Sequence, residues 1–276
     1  MSARTTPPRR ARGPALAPSD SPSESANAWP WPVEAPLVGT LADDEVQVWW
    51  ASLRQPADRL ADLARLLSAD EAARAARFRF PEHRDRFIAG RGLLRELLGA
   101  YLGRPGAALQ FGTGSRGKPE LAGAAGGGLR FNLSHSGDGV LYAVALREVG
   151  ADLEHHDRVT DYLAIIDRVC TGRELASFRE RPAERRREAF FDCWTRKEAV
   201  AKASGDGLAG GLQNLEVCFE NSSPSDGRVR LRDAGHREWS VLTLPLGAGW
   251  SGALAAAGVD WRWRGRRWRD APGLTS

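Results

Sequence analysis

Apolar and polar positions alternate along Glu45-Val46-Gln47-Val48-Trp49-Trp50, and this predicts a strand early in the chain. Past Ser68 the pattern changes. Ser68-Ala69-Asp70-Glu71 has the capping-box form, a serine N-cap with a glutamate three residues on, and predicts a helix reaching about Phe78. From Arg86 to Leu102 the residues Phe87, Leu93, Leu94, Leu97, Leu98 and Tyr101 recur at helical spacing, and Gly103 and Pro105 stop the run. The glycine-rich stretch from Gly112 to Gly128 reads as loop. Leu129 to His135, the turn Ser136-Gly137-Asp138-Gly139 and Val140 to Leu146 predict a hairpin, and a short strand follows over Ala151 to Glu154. Helices are then expected over Thr160 to Val169, Thr171 to Phe178 and Arg185 to Ala203. Strands return at Leu215 to Glu220, Arg228 to Arg232, Glu238 to Leu244, Trp250 to Ala256 and Asp260 to Trp268. Each half mixes helices with a few antiparallel strands, which is an α+β class.

Composition sets the limits of this picture. The chain has 276 residues, 42% hydrophobic and 27% charged, so it is long enough to bury a core and is neither collagen-like nor wholly disordered. Residues 1 to 36, rich in Pro, Ser, Arg and Ala without apolar periodicity, read as a disordered leader anchored by Trp29 and Trp31. Cys170, Cys193 and Cys218 are odd in number and lack C-x-x-C spacing, which argues against a disulfide framework and a cysteine zinc site and for reduced, partly buried thiols. No apolar run reaches the roughly 18 residues of a membrane span, and the N-terminus has no apolar signal core, so a cytoplasmic protein without membrane contact is expected.

The net charge of +4 is local, since Arg262, Arg264, Arg266, Arg267 and Arg269 exceed it by themselves. Interleaved with Trp261, Trp263 and Trp268, these arginines could stack on bases and pair phosphates, the mark of a nucleic-acid-binding module. An edge strand blunted by charge explains the same residues more simply. A second bias is more informative. Of 39 basic residues only Lys118, Lys197 and Lys202 are lysines. In a chain this rich in arginine, a retained lysine raises the question of a site that needs a compact ammonium rather than a planar fork.

Four stretches carry candidate chemistry. Gly112 to Lys118 fits the first seven positions of a phosphate-binding P-loop, but Pro119 stands where a magnesium-binding hydroxyl belongs, which argues against a nucleoside triphosphatase. What remains is a lysine on a glycine-flanked turn, suited to a phosphate. Ser134 and His135 are adjacent on a strand and point to opposite faces, so they form no nucleophilic relay with each other, though both could hold phosphate oxygens. Asp152 and Glu154, two apart on a strand, share a face and repel unless a cation lies between them, and Mg²⁺ fits oxygen ligands of this kind. Trp194, Glu198 and Lys202 are four apart on a helix and share a face. Alone, Glu198 and Lys202 read as a surface ion pair. With Asp152, Glu154 and Lys118 they make a set that could anchor a metal and a pyrophosphate.

Gly117-Lys118-Pro119, Phe131-Asn132-Leu133-Ser134-His135-Ser136, Gly150-Ala151-Asp152-Leu153-Glu154 and Trp194-Thr195-Arg196-Lys197-Glu198-Ala199 with Lys202 resemble, in order and spacing, the motifs of 4′-phosphopantetheinyl transferases. Arg74, Arg77-Phe78, Arg86 and Gly90-Arg91 resemble that family's coenzyme A half. The length is similar to the large monomeric, surfactin-synthetase-activator type, and Trp before Lys-Glu-Ala resembles one of its subgroups. The resemblance covers about residues 40 to 260. It implies a pseudo-twofold fold of two similar α+β halves, 37–148 for coenzyme A and 149–260 for Mg²⁺ and the carrier protein, followed by an Arg- and Trp-rich tail at 261–276. It further implies transfer of 4′-phosphopantetheine from coenzyme A to a serine of an acyl or peptidyl carrier protein of fatty-acid, polyketide or nonribosomal-peptide synthesis, releasing adenosine 3′,5′-bisphosphate. Asp152, Glu154 and Glu198 would hold Mg²⁺. Lys118, Pro119, Ser134, His135 and Lys202 would bind the coenzyme's phosphates and arm, Arg74, Arg86 and Arg91 its adenosine end, and Glu198 with Lys202 would be catalytic. A metal-dependent phosphohydrolase using the same acids is the rival enzyme reading.

Overall fold

The computed structural model describes residues 31–34, 41–114, 118–123, 127–158, 161–205, 212–217, 227–232 and 236–268. In chain order the first half forms β1 (Val33–Glu34), β2 (Glu45–Ser52), α1 (Ala57–Arg65), α2 (Ala69–Ala76), α3 (Pro81–Leu102), a small hairpin of β3 (Phe111–Thr113) and β4 (Pro119–Leu121), β5 (Arg130–Ser136) and β6 (Gly139–Ala145). The second half forms β7 (Val149–His155), α4 (Ile166–Val169), α5 (Gly172–Glu180), α6 (Ala183–Ser204), β8 (Val229–Arg232), β9 (Glu238–Thr243), β10 (Trp250–Ala257) and β11 (Arg262–Trp268). One sheet has the order β1-β11-β2-β6-β5 and the other β7-β10-β9-β8.

The sheets are the inner two of four layers. Leu63 of α1 and Leu93, Leu94, Leu97 and Leu98 of α3 pack on Trp49, Tyr142 and Val144 of the first sheet. Phe190, Phe191, Ala199, Val200 and Ala203 of α6 cover Trp239, Val241, Ala253 and Ala255 of the second. Between the sheets Val46, Val48, Leu141 and Ala143 meet Ala151, Leu153, Leu254 and Ala256. A strand covered on both faces has no solvent side to keep polar, so all seven residues of β6 are buried and its sequence shows no alternation.

Each half repeats one construction without repeating its sequence. A short helix opens with a capping box, Ser68 with Glu71 on α2 and Thr171 with Glu174 on α5. A 22-residue helix then starts beside a proline, Pro81 or Pro182, and ends on a left-handed glycine, Gly103 (φ 61°) or Gly205 (φ 71°). Each long helix buries a cation against the capping glutamate, Arg95 Nε to Glu71 Oε2 at 2.6 Å and Lys197 Nζ to Glu174 Oε2 at 2.6 Å. Each cation also donates to two carbonyls three residues apart, those of Gly106 and Leu109 for Arg95 and those of Leu212 and Leu215 for Lys197. Losing one partner of such a buried pair would leave an uncompensated charge in the core.

Several boundaries differ from expectation. Helix α3 begins at Pro81, five residues before Arg86, because proline suits the first helical turn while the polar run His83-Arg84-Asp85 hides the period. The helix expected over Thr160 to Val169 is a 3-10 turn, Tyr162–Ala164, followed by the four residues of α4. Residues 215–217 are not strand, and 218–220 of that expected strand lie outside the described residues, as do Cys218 and Trp29. At the end of the supposed leader Trp31 is buried on Trp263 and Val33–Glu34 pair in parallel with Arg267 and Trp268. Of the segment expected as a tail, Arg262–Trp268 form strand β11, where a strand over Asp260 to Trp268 is also expected; it pairs in parallel with β2 over Arg262 to Arg267, and residues 269–276, Arg269 among them, lie outside the described residues. Trp261 and Trp268 are buried, so these rings pack the core and are not offered to bases.

Candidate active site

Strand β5 lies beside β7 without a backbone ladder. Asn132, Ser134 and Ser136 alternate along β5 and so share one face. The Asn132 side-chain oxygen accepts from the Ala151 amide at 2.9 Å, Ser134 donates to Asp152 Oδ1 at 2.8 Å, and Ser136 donates to Glu154 Oε2 at 2.8 Å while accepting from the His155 amide at 3.0 Å. The intervening Leu133 and His135 point the other way, as strand geometry requires.

Helix α6 closes the site from the second half. Backbone meets backbone at Gly150, where an added Cβ would lie 2.1 Å from the Ala199 oxygen and 2.4 Å from the Ala203 nitrogen. This contact brings Glu198 and Lys202 over Asp152 and Glu154. Lys202 Nζ sits 2.6 Å from Asp152 Oδ1 and 2.9 Å from Ser134 Oγ. Leu133, Ser134, His135, Asp152, Glu154, Trp194, Glu198 and Lys202 together line a cavity of about 390 Å³. Trp194, Glu198 and Lys202 thus share a face as their spacing predicts.

The electrostatics of this cavity call for a positive charge. Burial, and then the Asp152 carboxylate with a smaller push from Glu154, raise the Glu198 pKa above the usual carboxylate range, against the pull of Lys202. Asp152 is buried, and its Oδ2 has no hydrogen-bond partner among the described residues. An orphaned carboxylate oxygen beside two further acids suits a hard divalent cation, so the residues present fit Mg²⁺.

A second cavity, of about 580 Å³, shares Leu133 and His135 with the first. Its other walls include Arg74, Phe78, His83, Arg86, Phe87, Gly90, Arg91 and Pro119. His83, Arg86, Phe87, Gly90 and Arg91 follow one face of α3 at three- and four-residue steps. Arg91 is bound to Glu71, and Arg86 Nε donates to Asp138 Oδ1 at 2.7 Å. Burial works to raise the Asp138 pKa, but Arg86 and Arg54 hold it below the ordinary range. The Arg74 guanidinium lies 5.1 Å from the centre of the Phe87 ring.

Two expected phosphate ligands are placed otherwise. Lys118 lines neither cavity, and its Nζ contacts Glu148 Oε2 at 3.2 Å, the Val149 oxygen at 3.1 Å and the Ala203 oxygen at 3.3 Å. Gly112 and Thr113 belong to β3 rather than to a phosphate loop. Ser134 lines the acid cavity, but its proton is directed to Asp152. The structure adds His83 to the expected site residues and gives Asn132, present in the sequence only as part of a motif, a role of its own. Asn132 could have been found by its alternation with Ser134, and His83 only by extending the helical face backward past Arg86.

Two family models divide the chain between them: residues 50–147 match 4′-phosphopantetheinyl transferase, N-terminal, and residues 148–256 match the 4′-phosphopantetheinyl transferase superfamily. The chain is 44% identical over 225 residues to 4′-phosphopantetheinyl transferase HetI of Nostoc sp., covering 81% of this chain and 92% of that one. It is 33% identical over 184 residues to 4′-phosphopantetheinyl transferase psf-1 of Bacillus pumilus, covering 67% and 76%. To 4′-phosphopantetheinyl transferase Sfp of Bacillus subtilis it is 25% identical over 198 residues, covering 70% and 84%. The chain belongs to the 4′-phosphopantetheinyl transferase superfamily. Within it the chain is an enzyme of the larger type, that of HetI and Sfp.

Proposed function

We propose that this transferase moves the 4′-phosphopantetheine arm of coenzyme A onto a serine of an acyl or peptidyl carrier protein and releases adenosine 3′,5′-bisphosphate. The observation that carries the reading is the acid cavity, with its orphaned Asp152 oxygen and raised Glu198, opening beside an arginine-lined cavity across a shared wall. Two joined cavities, one acidic and one basic, suit a substrate with a pyrophosphate at its centre and a further phosphate at one end.

Asp152, Glu154 and Glu198 would hold Mg²⁺, which when bound neutralises and polarises the pyrophosphate. Lys202 lies at the edge of the acid set, where it can pair the phosphate oxygens that gain charge as the bond to the leaving group breaks. His135, on the shared wall, faces the coenzyme, and Pro119 with Arg74, Arg86 and Arg91 lines the space for its adenosine end. Ser134 acts by fixing Asp152 and Lys202. The nucleophile is the carrier's hydroxyl, whose oxygen forms the new bond to phosphorus. Glu198, which lines the acid cavity, is the group that would accept its proton. Positioning and charge neutralisation supply most of the acceleration.

Mass spectrometry of an apo carrier incubated with the enzyme, coenzyme A and Mg²⁺ tests the reading. One covalently added phosphopantetheine on the carrier is the expected result. Cleavage of coenzyme A at an equal rate without any carrier would overturn it in favour of a phosphohydrolase.

A further inference from the structure

Cys170 and Cys193 line neither cavity, yet they sit within a cluster of reactive groups on the far side of α6. Cys170 follows α4 in an extended conformation (φ −86°, ψ 143°), immediately before Thr171, the N-cap of α5. Cys193 lies in the middle of α6. Both are free, buried thiols, and their sulfurs are in hydrogen-bonded contact at 3.7 Å. Glu174 completes a group whose possible ligand atoms all lie within 4.8 Å of one another.

A metal ion is a poor occupant for this group. Glu174 Oε2 already faces Lys197 Nζ at 2.6 Å and accepts from the Thr171 amide at 2.8 Å, while Oε1 accepts from the Val217 amide at 2.7 Å. A buried ammonium repels a cation and favours a thiolate. The two sulfurs are also unequal. The contact with Cys170 and burial push the Cys193 thiol up, whereas the contact with Cys193 brings Cys170 down against its own burial and the Glu174 carboxylate, with a smaller downward pull from Lys197. Cys170 is the more accessible of the two, at 6% against 1%.

We propose that Cys170 and Cys193 are a reversible redox site, at which a peroxide joins the entry of α5 to α6 through an intrachain disulfide. The Cys170 sulfur attacks one peroxide oxygen, the O–O bond breaks, the displaced hydroxide leaves as water with the Cys170 proton, and Cys170 becomes a sulfenic acid. The Cys193 sulfur then attacks the sulfenyl sulfur, and the departing hydroxyl leaves as water with the Cys193 proton. Two thiols and one hydrogen peroxide yield one disulfide and two waters, so the thiols are oxidised and the peroxide oxygens reduced. A disulfide needs its sulfurs about 2 Å apart. Cys170 lies outside any helix and can supply that approach by a change of side-chain rotamer and a small shift of extended backbone.

Full-length protein treated with hydrogen peroxide under native conditions, then analysed by intact mass and non-reducing peptide mapping, tests this proposal. The expected result is loss of two hydrogen atoms per chain, a peptide linking Cys170 to Cys193, and reversal by dithiothreitol. Cys218→Ser should leave that outcome unchanged, and Cys170→Ser should abolish it. Because Cys193→Ser places a hydroxyl in packed core, the Cys170 variant, with native circular dichroism as its control, bears the conclusion. Oxygen adducts without a link, a link through Cys218 or to a second chain, or a link formed only in denaturant would overturn it.

Discussion

Each of the three lysines collects oxygens from elements distant in sequence. Lys118 gathers Glu148 and two carbonyls, Lys197 gathers Glu174 and two carbonyls, and Lys202 gathers Ser134 and Asp152. Arg95 performs the Lys197 task in the first half with a planar fork, so an ammonium is not a necessity there. At Lys202 it is, because the two acceptors are hydrogen-bonded to each other and converge on one point. Lys202→Arg is therefore expected to lower kcat by roughly tenfold or more, and Asp152→Ala by about 10²–10³-fold, in a coupled assay of carrier loading. Glu198 gives a prediction about pH. Its folded pKa is raised, so the folded state binds more protons than the unfolded chain, and its contribution is most favourable below the ordinary glutamate pKa. Stability of metal-free enzyme should fall as pH climbs from that ordinary value through the raised folded one. Glu198→Gln should flatten this dependence and raise the melting temperature at neutral pH in EDTA, while removing transfer and the stabilisation by Mg²⁺. Asp152, Glu154, Trp194, Glu198 and Lys202 were legible in the sequence because spacings of two on a strand and four on a helix are local geometry. The position of Lys118 was not, since it depends on contact with a carbonyl 85 residues away.

Among the elements, the junction of β7 with α6 governs the site. The absent side chain at Gly150 lets the two backbones meet, and Lys118 ties the end of α6 to the start of β7 from outside. Gly150→Ala should destabilise the protein by about 3 kcal/mol or prevent folding, measured by denaturant titration, because the obstructing atoms are backbone. Lys118→Met should lower kcat with the KM for coenzyme A changed less than about twofold; a direct phosphate ligand would instead show in KM. A capping box announces α2 in the sequence and is formed in the structure, while the second box, Thr171 with Glu174 on α5, emerges only from the structure. Helix α1 went unforeseen, since its N-cap is Pro56 with no capping side chain. Helix α3 follows from its apolar period, though the period gives no sign of its first turn.

For the molecule as a whole, the sequence announced an α+β class and the structure supplies its pairing of halves, which no sequence repeat reveals. Two buried cation and glutamate pairs express that kinship, and their partner residues differ too much to be aligned by eye. Strand β11 connects the end of the second half to the first sheet, with Trp268 against Trp49. Truncation before Arg262 should therefore cost about 3–5 kcal/mol through Trp268 alone and lower the melting temperature, whereas loss of an accessory tail would leave it unchanged. The seam between the halves has a different consequence. Because β5 meets β7 through side chains on every second residue, a slide of one residue would turn Leu133 and His135 inward and the serines outward. A slide of two would set Ser134 against Glu154 and leave Asp152 facing the amide of Asn132. The comb of β5 works as a key cut for a single reading frame, and insertions or deletions anywhere between Asn132 and Glu154 should be tolerated only where they leave that frame intact.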